Sequence, residues 1–156
     1  MPKLRKEILI ARPPKEVFAF ASDPTKTPEW MTGITGIQVQ GDGPIQVGTV
    51  FTETRRMKGR DISAKIEVTE HGGPVQGFDP PYVHAVTSRA AGVLLTYRTF
   101  FHKDKAGTRV DQLMIAEPIS LFGRFAAGGL LRVANKVDGG ALERLKEVVE
   151  AQAPPA

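Results

Sequence analysis

The stretch Ile8-Leu9-Ile10-Ala11-Arg12-Pro13-Pro14-Lys15-Glu16-Val17-Phe18-Ala19-Phe20-Ala21-Ser22-Asp23-Pro24, followed by Pro28-Glu29-Trp30, decides the fold. Leu4, Ile8 and Ile10 stand among charged residues with partial period-2 spacing, the pattern of an edge strand. Pro13-Pro14 ends that strand, because proline offers no donor to a ladder. Proline in a first helical turn is pre-set for helix, so a helix is predicted from Pro14 to Ala21, with Val17, Phe18 and Ala21 on one face. Asp23 is a capping or turn residue before Pro24. Thr27-Pro28-Glu29-Trp30 then opens a second turn, where Glu29 faces the helix dipole. Two helical pieces thus interrupt a sheet near its start.

Further along, turn residues separate strands. Ile34 to Gln40, Val47 to Arg56 and Asp61 to Glu70 are predicted strands, divided by Gly41-Asp42-Gly43-Pro44 and closed by His71-Gly72-Gly73-Pro74. Ile62, Ala64, Ile66 and Val68 alternate with Ser63, Lys65, Glu67 and Thr69, which gives one buried and one wet face, as in an antiparallel sheet covered on one side. Tyr82 to Arg89, Val93 to Lys103 and Thr108 to Glu117 complete six or seven strands, with Gly92 as a bulge or bend.

The segment from Leu121 to Gln152 has a helical pattern. Unbroken, it would extend about 48 Å, longer than the roughly 40 Å width of a domain this size. A break is therefore predicted at Gly128-Gly129, with Gly139-Gly140 as the second candidate. Leu130, Ala134, Val137, Ala141, Leu145 and Val148 form a wide apolar face that either packs on the sheet or roofs a cavity.

The order of these pieces resembles the START-like (SRPBCC) superfamily of polyketide cyclases/dehydrases and lipid-transport proteins. The resemblance rests on the opening strand, Pro14-x-x-Val17-Phe18, Asp23-Pro24, Pro28-x-Trp30, Val47-Gly48-Thr49, Gly59-Arg60, Val68-Thr69-Glu70, Pro80-Pro81, Gly107-Thr108-Arg109-Val110 and Leu142-x-x-Leu145-Lys146, across nearly the whole chain. It implies an α+β helix-grip fold: a curved antiparallel sheet of six to seven strands wrapped around a long C-terminal helix, with two short helices after the first strand. It also favours a cavity under that helix.

Composition sets the outer limits. The chain has 156 residues, 41% of them hydrophobic and 24% charged, enough for one ordinary core. We expect one domain over residues 1–151 and a disordered tail over 152–156. Without cysteine, disulfides, thiolate catalysis and cysteine-based zinc sites are excluded. No apolar run is long enough to span a bilayer and the N-terminus has no signal-peptide core, so the expected location is cytoplasmic, with no stable membrane insertion. The net charge of +4 is scattered among acids, and its densest cluster, Arg55-Arg56-Met57-Lys58-Gly59-Arg60, has no stacking or base-reading residue beside it. As a hairpin tip it is solvated, and no nucleic-acid partner is expected.

Strand alternation places Thr49, Phe51, Glu53 and Arg55, then Val93, Leu95, Tyr97 and Thr99, then Val110, Gln112, Met114 and Ala116 on the concave side. The candidate ligand-binding set is Trp30 at the rim, Phe51, Glu53, Arg55, Leu95, Tyr97, Gln112, Met114, Leu130 and Ala134. That mixture is apolar with a few polar atoms, the kind that buries a small molecule and orients it.

Catalytic signatures are mostly absent. Gly43-x-x-x-x-Gly48-Thr49 lacks the lysine of a phosphate loop, and no nucleophile elbow, zinc-binding helix or dinucleotide fingerprint occurs. His71 is expected in a turn, His84 as a hydrogen-bonded strand residue and His102 at a strand end. Their separation argues against a metal site, and no cofactor is implied. The preferred reading is a monomer or homodimer that binds a hydrophobic small molecule of lipid, polyketide or isoprenoid type. The alternative is a cyclase/dehydratase-like enzyme in the same cavity, with Tyr97, Gln112, Glu53 or Arg55 moving protons. A third is a membrane-surface lipid-transfer module that approaches anionic headgroups through Arg55 to Arg60.

Overall fold

A computed structural model describes residues 1–74 and 79–153. The expected tail therefore lies outside the described residues from 154 onward. Seven strands run in the order β1 (Lys3–Ile10), β2 (Ile34–Val39), β3 (Val50–Met57), β4 (Arg60–Gly72), β5 (Tyr82–Ala90), β6 (Val93–Asp104) and β7 (Gly107–Pro118). They form one antiparallel sheet in the spatial order β1-β7-β6-β5-β4-β3-β2. Consecutive strands from β2 to β7 are neighbours, and only β1 is displaced to the far edge.

The displacement is made by the prolines and the two helices after β1. Pro13 is extended with ψ 150°, and Pro14 starts α1 (Pro14–Ala21). A 3-10 helix, Pro24–Glu29, follows, where the Asp23 side chain accepts a hydrogen bond from the Thr25 N–H at 3.0 Å. Together they carry the chain from one sheet edge to the other. Ile10, Val17, Phe18, Phe20 and Trp30 anchor them in a core that includes Tyr82, Phe101 and Val110.

The C-terminal segment is two helices, α2 (Leu121–Val137) and α3 (Ala141–Ala151). The break is at Gly139-Gly140, not at Gly128-Gly129, which corrects the primary expectation. Gly140 sits at φ +79°, a backbone conformation glycine takes without strain, and the Asp138 N–H still bonds to the Ala134 carbonyl at 2.9 Å. Gly128 and Gly129 stay helical because Ala127 and Leu131 on either side are buried against Val93, Met114 and Ala116. That burial outweighs a glycine cost of about 1 kcal/mol each.

Two other local expectations change. Ala91 and Gly92 both have positive φ, 51° and 71°, so Gly92 belongs to a two-residue hairpin turn between β5 and β6, not to a bulge inside a strand. A Cβ on Gly92 would lie 2.0 Å from Ser120 Oγ, which shows how tightly the start of α2 rests on that turn. His71 lies in β4, directly opposite His84 of β5, rather than in a turn.

Candidate functional site

Between the sheet and the C-terminal helices lies a cavity of about 300 Å³. Strand alternation aims Phe51, Glu53 and Arg55 of β3, Leu95, Tyr97 and Thr99 of β6 and Gln112 of β7 into it, and α2 closes it with Leu130, Val133, Ala134 and Val137. Trp30 also lines it, but from a buried position in the core, not at the rim.

Not all of the concave face is cavity. Met114 is fully buried beneath α2 with Ala127 and Leu131, so its side chain serves helix-to-sheet packing and does not line the cavity. Val93 and Ala116 are used in the same way. Val110 belongs to the core under α1 and α3, and Thr49 Oγ1 accepts the Gln46 N–H at 3.1 Å in the loop before β3. The free volume is left over the middle of β3 to β6.

Its polar part is a network that the strand pattern did not predict. Arg55 donates to Glu53 Oε1 at 2.7 Å through Nη2 and to Asp138 Oδ1 at 2.7 Å through Nη1. The Tyr97 hydroxyl donates to Asp138 Oδ2. The side chains of Glu53, Arg55 and Asp138 keep 13%, 13% and 10% of their surface in contact with solvent, so the ion pairs are largely desolvated. Glu53 and Arg55 therefore form part of a buried triad, unlike a solvated strand-end bridge. Burial disfavours the Arg55 charge, but Asp138 and Glu53 outweigh it and raise the guanidinium above its ordinary value. Burial first, and then the Asp138 charge, push the Tyr97 phenol well above its usual range. Tyr97 is consequently a hydrogen-bond donor at neutral pH and not a base.

Asp138 had no partner within reach in the sequence. It follows the last residue of α2, and the bend at Gly139-Gly140 turns its side chain toward β3 and β6. An acid directly before a glycine pair at the end of a helix was the available signal.

A second polar pair lies along the wall. His71 Nδ1 and His84 Nδ1 are 3.1 Å apart, so one ring donates and the other accepts. His84 lines the cavity. Burial, followed by the neighbouring His71, pushes its pKa down to about 3. Gln112 Nε2 donates to Thr99 Oγ1 at 3.3 Å on the floor. Among the described residues, no group of three or more metal-ligating side chains occurs.

One donor is left over. Among the described residues, Trp30 Nε1 is the buried side-chain polar atom without a hydrogen-bond partner. Trp30 is among the residues that line the cavity, but Nε1 itself is packed against protein, while the Trp30 carbonyl is held by Arg144 Nε of α3 at 2.9 Å.

Comparison with known proteins places this geometry. The family model described as polyketide cyclase/dehydrase and lipid transport matches residues 1–150. Among solved structures, TTHA0849 from Thermus thermophilus is similar at TM-score 0.70 and 18% identity, covering 98% of this chain and 100% of that one. Ara h 8.0201 is similar at TM-score 0.70 and 13% identity, covering 97% of this chain and 99% of that one. The di-domain ARO/CYC BexL from the BE-7585A biosynthetic pathway is similar at TM-score 0.69 and 17% identity, covering 99% of this chain and 51% of that one. At these identities the likeness establishes the fold. No curated protein matches the sequence.

Proposed function

The chain belongs to the polyketide cyclase/dehydrase and lipid transport family, and from that premise we propose that its cavity holds a hydrophobic small molecule of lipid, polyketide or isoprenoid type. Apolar walls from Phe51, Leu95, Leu130 and Ala134 provide the burial, and a volume of about 300 Å³ is at the small end for a ligand pocket. The observation that carries this reading is the cavity's make-up: apolar walls with one polar side, where Arg55, Glu53, Tyr97 and Asp138 meet, suited to bury a hydrophobic molecule and orient an oxygen it carries.

The test is native mass spectrometry of the purified protein before and after organic extraction, with the extract identified by fragmentation. A co-purifying hydrophobic molecule that carries an oxygen supports the reading. A purely hydrocarbon ligand, or none under any extraction condition, counts against it.

A second reading, cyclase/dehydratase-like catalysis, draws support from Tyr97, Arg55 and Asp138 meeting at one wall of the cavity. The Arg55 guanidinium would polarise a keto oxygen, the Tyr97 phenol could join it only by giving up its bond to Asp138, and Glu53 or His84 would have to take up a proton. Incubation with a poly-keto thioester separates the two readings: an enzyme changes the product distribution relative to buffer, and a carrier only binds.

A further inference from the structure

The helix α2 exposes an apolar stripe outside the cavity. Phe125 is 83% exposed, Leu121 73% and Phe122 67%. Positions 122, 125, 129 and 133 follow at i+3 and i+4 spacing, so the stripe runs from Phe122 and Phe125 past Gly129 to Val133. Val133 is itself exposed and lines the cavity. Nothing stands over Gly129, where an added Cβ would meet no atom within 4 Å. Apolar side chains as exposed as these, arranged along one line, mark an interaction surface.

Charge decides what covers it. From Leu121 to Val137 the helix has no acidic residue, while Arg124, Arg132 and Lys136 are all exposed. Lys136 and Arg132 lie within the same helical face as Phe125, at +11 and +7. Across the cavity mouth the exposed Ile62 of β4 also lines the opening, and the tip of that β3–β4 hairpin carries exposed Arg56, Lys58 and Arg60. A second copy docking on the stripe by twofold symmetry would set these cations against their own equivalents. An anionic lipid surface meets both demands, with acyl chains for the aromatic side chains and headgroups for the cations.

We propose that α2 docks flat on an anionic lipid bilayer through Leu121, Phe122 and Phe125, with Arg132, Lys136 and the β3–β4 tip against the headgroups. The helix is about 25 Å long, and no described helix is long and apolar enough to cross a membrane, so the contact is interfacial. The seated surface includes Val133 and Ile62, and so the cavity opens toward the lipid. This goes beyond the cavity reading and does not depend on it, because vesicle binding is measured without any cavity ligand.

The test is sedimentation of the full chain with vesicles of phosphatidylcholine alone and of phosphatidylcholine with an equal share of phosphatidylglycerol. Binding is expected to the anionic vesicles only, and to weaken with salt. The pair Phe122→Ser with Phe125→Ser, and separately Arg132→Glu with Lys136→Glu, should each lower partitioning by about tenfold or more. These side chains are in water, so both variants should melt with the parent, which separates lost docking from lost folding. Absence of binding, equal binding to both vesicle types, or binding unchanged in both variants would overturn the proposal. A concentration-dependent dimer abolished by the phenylalanine variant would overturn it in favour of a second copy.

Discussion

Arg55 Nη1 lies 2.7 Å from Asp138 Oδ1, which ties the third strand to the residue where α2 ends. The pair does more than decorate the cavity wall, since Asp138 also receives the Tyr97 hydroxyl and so fixes the helix end over β6 as well. Removing one member leaves the others charged and poorly hydrated. Asp138→Ala is expected to destabilise the fold by about 3 kcal/mol, the lower end for breaking a buried pair, read as a shift in urea midpoint at constant slope. Replacing Arg55 and Asp138 together should cost less than the sum of the two single losses, since each single variant already breaks the same bond, although Glu53 is then left without its partner. A double loss equal to the sum would mean that the two side chains are not coupled.

The two glycine pairs should respond in opposite ways. Gly140 holds φ +79°, so Gly140→Ala forces an alanine into the left-handed region at about 1–2 kcal/mol. Gly128 and Gly129 are helical and open on the Cβ side, so alanine at either should stabilise by about 0.5–1 kcal/mol. Thermal melts of the three single variants check this. Destabilisation at Gly128 or Gly129 would show that the helix does break there in solution.

The difference between those two pairs also shows what the sequence could convey. Strand alternation placed Phe51, Glu53 and Arg55, and Leu95, Tyr97 and Thr99, on the cavity side, because side-chain direction along a strand is a local property. Met114 follows the same alternation and still misses the cavity, because which part of the concave face α2 covers is set by tertiary packing. The helix bend was legible as a length problem, but its position depended on which glycines have buried neighbours. Asp138 was marked only as an acid before a glycine pair, and its role was not legible, since its partners Arg55 and Tyr97 are 83 and 41 positions away. His71 and His84 are joined only by the β4–β5 register.

Trp30→Phe separates the donor from the ring. Phenylalanine keeps most of the apolar area but removes the buried Nε1–H, which has no acceptor among the described residues. An unmet buried donor costs about 1–3 kcal/mol, which offsets the apolar area lost with the smaller ring, so the variant should stay within about 1 kcal/mol of the parent. Urea midpoints read this, and a loss of about 3 kcal/mol or more would show that the indole N–H has a partner in solution.

Acid stability should depend on His84. Burial and His71 hold its pKa at about 3 in the folded chain, whereas an unfolded histidine takes up its proton at about 6.5. The unfolded state therefore binds the extra proton throughout that interval, and stability falls as pH drops from about 6.5 toward 3, by up to about 1.4 kcal/mol per pH unit. Above pH 6.5 both states are neutral at this site and it contributes no slope. His71 is also held low by burial and adds to the same trend, and the Phe18 ring packs on it with centroids 5.0 Å apart. His84→Gln retains a hydrogen-bonding side chain without the titration. Urea midpoints measured between pH 7 and pH 4 should decline less steeply in the variant than in the parent. Parallel declines would mean that the histidine pair opens and protonates within the folded state.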